Sequence, residues 1–134
     1  MALEVGVCYN HNFSFNQEDV NRFAHLSGDS NPIHLDKEFA KNTIFKKPIL
    51  HGFLGGSIIS MVLGTKIPGP GTIYLKQSLV FKKPMYVEEE YKCTVKVISL
   101  NSLKKRIHLE TIIVNSKDEP TIKGEAVVIN KEVF

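Results

Sequence analysis

Residues 51–65 contain no Asp, Glu, Lys or Arg, and this stretch constrains the fold more than any other feature of the chain. Its most apolar part, Phe53–Gly64, has 12 residues, of which three are glycines and two are serines. A helix that is apolar on all sides is a buried helix, whereas a membrane-spanning helix needs about 20 apolar residues. The stretch therefore predicts a helix that the rest of the chain must cover.

The sequence after this helix alternates between apolar and polar residues. Four runs rich in Val, Ile, Thr, Tyr and Phe predict strands over residues 72–81, 90–100, 103–115 and 121–129. Short turns separate the runs, and short turns favour antiparallel pairing. We therefore predict a four-stranded antiparallel meander.

The residues before the buried helix predict one strand and two short helices. Tyr9–Phe15 is typical of a strand, Asn16 of an N-cap and residues 17–27 of a helix. Several turn formers then end that helix, and Asp36 is expected to cap a second one. One sheet that curls around one buried helix satisfies this order, so we predict a single α+β domain over residues 1–134. Such a sheet leaves an apolar edge or face, which favours a dimer.

The charge of the chain argues against a nucleic-acid partner. The net charge of +3 comes from 17 basic and 14 acidic residues, well short of the excess typical of nucleic-acid-binding proteins. No membrane partner is expected either. Basic residues form three local clusters, expected at solvated loops or at the rim of a site for an anionic substrate: Lys46-Lys47, Lys82-Lys83 and Lys104-Lys105-Arg106.

The cysteines and histidines predict no metal site. Cys8 and Cys93 lie in no metal-binding or redox motif, and free thiols are typical of a reducing compartment. The five histidines are not spaced as metal ligands. No signal peptide is predicted at the N-terminus, so we expect a cytoplasmic location; an organelle form with a trimmed transit peptide stays open.

The segment Gly28-Asp29-Ser30-Asn31-Pro32-Ile33-His34 places a carboxylate and an imidazole on either side of an Asn-Pro turn. Such a turn can bring Asp29 and His34 to one water molecule, where they would form a minimal general acid/base pair. The alternative is a capping aspartate and a surface histidine in a loop. Because both residues lie in a polar segment, we expect substitution of either one to leave the fold intact.

The start of the predicted buried helix, His51-Gly52-Phe53, is a second candidate site. Backbone N–H groups in the first turn of a helix lack intrahelical partners. Together with the helix dipole they can stabilise a negatively charged oxygen. Gly52 would let a substrate lie close to this backbone, although a tight turn into a buried helix would also favour glycine.

The run Phe23-Ala24-His25-Leu26-Ser27-Gly28-Asp29-Ser30-Asn31-Pro32-Ile33-His34-Leu35-Asp36 resembles the signature of MaoC-like (R)-specific enoyl-CoA hydratases and hydroxyacyl-thioester dehydratases. Pro48–Gly52, Pro68–Pro84 and Gly124–Val127 resemble further blocks of this family, so the resemblance covers residues 9–129. It implies a hotdog fold, in which an antiparallel sheet wraps around one long helix, assembled as a dimer. It also implies reversible addition of water to a trans-2-enoyl thioester, which gives the (R)-3-hydroxyacyl thioester.

The resemblance further implies roles for individual residues. Asp29 would take a proton from water as the water attacks C3, and His34 would hold that water and help to deliver a proton to C2. The N–H of Gly52 would bind the thioester carbonyl, and Asn31 would shape the loop. No cofactor is implied. The acyl carrier, coenzyme A or an acyl carrier protein, stays open.

Two other activities of the same fold compete with hydration. Thioesterases of this fold commonly place a carboxylate on or beside the central helix, but residues 53–65 contain no Asp or Glu. An acyl-thioester sensor would need a pocket but no acid/base pair. Hydration or dehydration is therefore favoured over both.

The acyl tail is expected to run along the buried helix. At about 100° per residue, Gly56, Ile59 and Leu63 fall on the same side as Gly52. We therefore predict that Ile59 and Leu63 close the acyl tunnel, with Ser60 beside them among the substrate-binding residues. The alternative is that Ile59 and Leu63 belong to the core.

Overall fold

The computed structural model describes residues 3–134 as a sheet of six strands with four α-helices and a final short 3-10 helix. The strands are β1 (Cys8–Phe13), β2 (Ile73–Gln77), β3 (Val80–Phe81), β4 (Tyr91–Asn101), β5 (Arg106–Val114) and β6 (Pro120–Ile129). The helices are α1 (Gln17–Ser27), α2 (Pro32–Leu35), α3 (Lys37–Lys41), α4 (Gly52–Thr65) and the 3-10 helix Lys131–Val133. All strand pairs are antiparallel, so the predicted α+β class is confirmed.

Helix α1 begins and ends as the sequence predicts. The Asn16 side chain accepts a hydrogen bond from the Asp19 N–H at 2.8 Å, and the Asp19 carboxylate accepts one from the Asn16 N–H at 2.9 Å. This capping box satisfies two N–H groups that the helix itself cannot pair. Gly28 follows the helix with φ of 81°, a left-handed conformation that glycine adopts without strain.

Helix α2 occupies residues for which the sequence predicts a turn. The Asn31 side chain caps it by accepting a hydrogen bond from the Ile33 N–H at 3.2 Å, and Pro32 begins it, because the fixed φ of proline suits the first helical position. Four residues are too few to show helical periodicity. Asp36 caps the next helix, α3, as predicted.

The predicted four-stranded meander is wrong for its first strand. The strand order is β1-β4-β5-β6-β2, with β3 also paired to β6, so only β4, β5 and β6 form a meander. Residues 82–90 separate β3 from β4 and are tied to two distant segments. The Leu50 N–H donates to the Met85 carbonyl and the Glu88 N–H to the Phe15 carbonyl, each at 2.8 Å. This connection joins two strands, β3 and β4, that are not neighbours in the sheet, so it is not a hairpin turn.

The predicted strand over 72–81 is divided by a bend between β2 and β3. At this bend the Ser78 N–H donates to the Glu125 carbonyl at 2.9 Å. The Ser78 carbonyl passes so close to Gly124 that a Cβ atom there would clash with its oxygen. Only glycine permits this approach, so Gly124 fixes where the chain bends.

Helix α4 covers the core with one side only. Ile59, Val62 and Leu63 are fully buried and belong to the same apolar core as the inward-facing residues of β4 and β5. On the other side Ser60 is exposed and Phe53 is 70% exposed. The expectation of a helix buried on all sides is therefore not met within one chain, because the sheet reaches only one side of α4.

The exposed side of α4 is accompanied by an exposed apolar strand edge. Ile73, Leu75 and Val80, on β2 and β3, are each about half exposed. Among residues 3–134, none of the helices combines the length and the apolar character needed to cross a bilayer.

Candidate active site

A cavity of about 720 Å³ opens at the N-terminal end of α4. Most of its wall is apolar, and the polar part brings together side chains from three separate segments. The apolar lining residues are Phe23, Phe45, Ile49, Leu50, Phe53, Phe81, Pro84, Met85 and Ile122. The others are Ser27, Asp29, His34, His51, Gly52, Lys82 and Lys83. The cavity thus contains both members of the predicted acid/base pair and the predicted carbonyl-binding glycine.

The loop that carries Asp29 is shaped by hydrogen bonds between neighbours. The Ser27 hydroxyl accepts from the Asp29 N–H at 3.1 Å, and one Asp29 carboxylate oxygen accepts from the Asn31 N–H at 3.2 Å. Asn31 in turn caps α2. Such side-chain turns favour the loop over a continued helix. They leave the Asp29 side chain exposed at the cavity.

His34 is held much more tightly than its polar sequence context suggests. Its side chain is buried, with 8% exposure, and its Nδ1 lies 2.7 Å from the Ile49 carbonyl oxygen. A carbonyl can only accept, so Nδ1 carries the proton and Nε2 the lone pair in the neutral ring. Burial lowers the pKa of His34, against the opposing effect of the Ile49 hydrogen bond, and nearby His51 also lowers it while Asp29 raises it. His34 is therefore buried although its sequence segment is polar, and the expectation that its substitution leaves the fold intact stays a prediction.

Gly52 is the first residue of α4, and the preceding residue provides no side-chain cap. Among residues 3–134 the N–H groups of Gly52 and Phe53 therefore have no partner at the edge of the cavity, whereas that of Leu54 donates to the His51 carbonyl at 3.1 Å. A Cβ atom on Gly52 would lie 2.7 Å from a ring carbon of Phe81. The absence of a side chain thus lets the Phe81 ring approach the start of the helix.

His51 is a site residue to which the sequence patterns assign no role. It is 2% exposed, its ring stacks on His34 with centroids 3.9 Å apart, and its Nε2 donates to the Asp29 carbonyl at 2.9 Å. The one signal in the sequence is its position before a helix, where Ser, Thr, Asp or Asn are usual. A histidine at this position indicates that its side chain makes a contact other than capping the helix.

The sequence model of the MaoC-like domain matches residues 4–118 of the chain. The chain belongs to the MaoC-like domain family. It is 43% identical over 127 residues to an (R)-specific enoyl-CoA hydratase from Aeromonas caviae, covering 95% of each. It is 38% identical over 126 residues to a 3-hydroxybutyryl-CoA dehydratase from Methylorubrum extorquens, covering 94% of this chain and 80% of that relative. The solved structure of an (R)-hydratase from A. caviae involved in PHA biosynthesis has a TM-score of 0.93 at 43% identity, covering 96% of this chain and 97% of that one.

Membership of the MaoC-like family and this structural similarity confirm the predicted hotdog fold. The similarity extends over nearly the whole chain, including both the loop with Asp29 and His34 and the start of α4. In the MaoC-like chain these segments meet at the cavity described above.

Three predicted substrate-binding residues lie elsewhere in the MaoC-like chain. Ile59 and Leu63 have 0% and 1% exposure, pack within the core and do not line the cavity. Ser60 points to the exposed side of α4 and does not line the cavity either. Within one chain the structure therefore favours the core interpretation of Ile59 and Leu63, because the sheet approaches α4 from their side.

The polar residues of the cavity also form a cluster of metal-ligand type. One ligand atom from each of Asp29, His34 and His51 lies within 4.8 Å of the others. However, His34 Nδ1 and His51 Nε2 both donate to carbonyl oxygens. This leaves the Asp29 carboxylate, His34 Nε2 and the buried His51 Nδ1 as the groups with a lone pair that no hydrogen bond among residues 3–134 occupies. The expectation that no metal or cofactor is needed stays a prediction.

Proposed function

We propose that the chain is a hydro-lyase that adds water reversibly to a trans-2-enoyl thioester and gives the (R)-3-hydroxyacyl thioester. The observation that carries the proposal is the meeting of Asp29, His34 and the first N–H groups of α4 on one apolar cavity. The names of the relatives, an (R)-specific enoyl-CoA hydratase and a 3-hydroxybutyryl-CoA dehydratase, support the same reaction.

Asp29 acts as the general base in this proposal. The Asn31 N–H holds one carboxylate oxygen, and the carboxylate can accept a proton from water as the water oxygen attacks C3. The bond between the water oxygen and C3 forms while the electron pair of the C2=C3 double bond moves toward the thioester carbonyl. A positioned base of this kind contributes about 10²- to 10⁴-fold to the rate.

His34 holds the attacking water. Its Nδ1 proton is committed to the Ile49 carbonyl, so Nε2 is the acceptor for a hydrogen bond from the water. Burial keeps the pKa of His34 below its ordinary value, which preserves this acceptor. The proton taken from the water returns to C2 from the side of Asp29 and His34, so that H and OH add to the same face.

The amino end of α4 stabilises the negative charge that develops on the thioester oxygen. The N–H of Gly52 lies at the first helical position, where the helix dipole favours an anion. Removing one donor from such an oxyanion site typically costs about 10²- to 10³-fold in kcat. The Gly52 donor belongs to the backbone, which explains why sequence supplies no polar side chain there.

The carrier of the acyl group is coenzyme A or an acyl carrier protein, and the reaction needs water but no other cofactor. Lys82 and Lys83 line the cavity, whereas the cluster at residues 104–106 lies at the turn between β4 and β5. We therefore place the phosphate groups of the carrier near Lys82 and Lys83. A cytoplasmic location fits these carriers and stays a prediction.

A second copy of the chain is the proposed cover for the exposed side of α4 and the edge of β2 and β3. Phe53, Ile73, Leu75 and Val80 are exposed together with Ser60, and exposed apolar groups of this kind mark association surfaces. Light scattering on the purified protein tests the proposal, and we expect twice the mass of one chain. The mass of a single chain at micromolar concentration would contradict it.

Crotonyl-CoA tests the proposed reaction directly. We expect loss of the enoyl absorbance and formation of (R)-3-hydroxybutyryl-CoA, identified by chiral analysis of the product. Release of the free thiol would identify a thioesterase instead, and binding without any chemistry would identify a sensor. The same acyl group on coenzyme A and on an acyl carrier protein then identifies the carrier, as the one with the higher kcat/KM.

A further inference from the structure

His51 occupies the N-cap position of α4 but does not cap the helix. Its side chain turns away from the helix and donates through Nε2 to the carbonyl of Asp29, 22 residues earlier in the chain, at 2.9 Å. Residues at this position normally stabilise the helix by pairing its first N–H groups. The stabilisation that a cap would add to α4 is absent here, and the loop that carries Asp29 receives the hydrogen bond.

The ring of His51 also forms one wall of the environment of His34. The two imidazole rings are stacked with centroids 3.9 Å apart and planes inclined by 29°. Phe23 contacts the His51 ring with centroids 4.8 Å apart, so that His51 lies between a fixed aromatic ring of α1 and the imidazole of the acid/base pair. A ring held in this way restricts the orientation of its neighbour.

The segment 49–51 therefore reaches both members of the pair by separate contacts. Ile49 accepts the Nδ1 hydrogen bond of His34, and its own N–H donates to the Ile33 carbonyl at 3.2 Å. His51 binds the Asp29 carbonyl and stacks on His34. A displacement of this segment would move Asp29 and His34 relative to each other, and errors of about 1 Å in such a geometry can cost about 10²-fold in rate.

The remaining ring nitrogen of His51 fixes the direction of the contact. His51 Nδ1 is buried and has no hydrogen-bond partner among residues 3–134. A proton on Nδ1 would be a buried donor without an acceptor, which is costly. In the neutral ring the proton therefore lies on Nε2, where it is donated to the Asp29 carbonyl.

We propose that His51 is a positioning residue, which sets the relative placement of Asp29 and His34 without touching the reacting atoms. This inference rests on the proposed hydration reaction. In this proposal His51, the residue immediately before α4, sets the geometry of the acid/base pair, and Gly52 binds the thioester carbonyl.

Two substitutions separate the contacts of His51. His51→Phe keeps a ring against His34 and removes the donor to Asp29, whereas His51→Gln removes the ring and keeps an N–H at a comparable reach. We expect kcat for crotonyl-CoA to fall about 10²-fold in His51→Phe with KM little changed. His51→Gln should recover about tenfold of this loss, the value of one neutral hydrogen bond.

Asn130→Leu is the matched control. Asn130 is also buried and donates to the carbonyls of Gly69 and Pro70, beyond the opposite end of α4. This variant should lose thermal stability and keep the wild-type kcat. Wild-type kcat in His51→Phe, or no recovery in His51→Gln, would overturn the proposal.

Nitrogen NMR of histidine-labelled wild-type protein provides a test that needs no turnover. We expect the proton of His51 on Nε2 and that of His34 on Nδ1. A His51 ring with its proton on Nδ1 would overturn the proposed contact. If the wild-type chain hydrates the crotonyl thioester of neither coenzyme A nor an acyl carrier protein, the proposed reaction is wrong, and the tautomer of His51 still decides whether the contact with Asp29 exists.

Discussion

The loop segment, residues 27–36, and the meander of β4, β5 and β6 are stabilised in different ways. In the loop, the side chains of Ser27, Asp29 and Asn31 each accept a hydrogen bond from the N–H two residues later, and most of these residues are exposed. In the meander, inward-facing residues such as Val95 and Leu109 have 0% exposure and the strands pair along their length. The residues of the proposed reaction and the residues of the core thus lie largely in separate segments. His34 and His51, which are buried within the site, connect the two.

The largest expected effect is on turnover, from a substitution in the loop segment. Asp29→Asn should lower kcat for crotonyl-CoA by about 10²- to 10⁴-fold, because an amide cannot accept the water proton. The free energy of unfolding should change by no more than about 0.5 kcal/mol, as is usual when an exposed residue is substituted. Denaturant titration and steady-state kinetics on the same preparation measure both.

Asp36→Asn is the matched control for Asp29→Asn. Asp36 caps α3 and does not line the cavity, and asparagine caps as well as aspartate. Its kcat should equal that of the wild type. Equal losses in the two variants would mean that Asp29 has no special role.

The next effect is on stability, from a substitution in the core. Leu63→Ala should lower the free energy of unfolding by about 2 to 5 kcal/mol, since it leaves a cavity where α4 packs on the sheet. The value of kcat/KM for short-chain and long-chain enoyl-CoAs should change in the same proportion. A selective increase in kcat/KM for the long-chain substrates would instead indicate that Leu63 lines the acyl tunnel.

A smaller effect concerns the protonation of His34. Burial and the neighbouring His51 lower its pKa, while the Ile49 carbonyl and the Asp29 carboxylate oppose them, so its ring should titrate below the ordinary histidine pKa of about 6.5. The neutral ring is favoured in the folded protein. Its contribution to stability is therefore present above pH 6.5 and is lost as the pH falls through the lower folded-state pKa. NMR titration measures the midpoint, and a midpoint above the ordinary value would mean that the Ile49 hydrogen bond and the Asp29 carboxylate outweigh burial in setting this pKa.

The smallest effect is expected at the rim of the cavity. Lys83 pairs with Glu119 at 2.6 Å, whereas Lys82 makes no ion pair with any residue from 3 to 134. Lys82→Ala should raise KM a few-fold at low salt and reduce its salt dependence, because exposed charges are screened over about 10 Å at 0.1 M salt. Lys104→Ala, at the turn between β4 and β5, should leave KM unchanged. An identical salt dependence in wild type and Lys82→Ala would exclude Lys82 from carrier binding.

Local patterns were sufficient to predict most elements. The capping box at Asn16, the uncharged stretch at α4 and the alternation along β4, β5 and β6 are all short-range signals, and each element lies close to its predicted bounds. Helix α2 could not be predicted from such patterns, because it is a single turn of four residues. The loop with Asp29 and His34 was predicted for the same reason as the elements, since its turn formers and its acid/base pair are neighbours in sequence.

Features that depend on distant residues could not be predicted from such patterns. Alternation along 72–81 indicates a strand but does not identify β6 as its partner. The helical wheel groups Leu63 with Gly52, although Leu63 packs in the core and Gly52 lines the cavity. His51 acquires its role from Asp29, 22 residues away, and no periodic pattern connects the two.

Because β6 follows all the strands with which it pairs, the order of synthesis affects when the sheet can form. It pairs with β5, β2 and β3, so two earlier strands have no sheet partner until residues 120–129 are available. On the ribosome, α4 and the loop with Asp29 emerge well before this strand. Long-range pairing of this kind folds slowly and leaves apolar surface uncovered in the meantime. The growing chain therefore carries its complete set of acid/base residues for some time before it has the sheet that gives them a cavity.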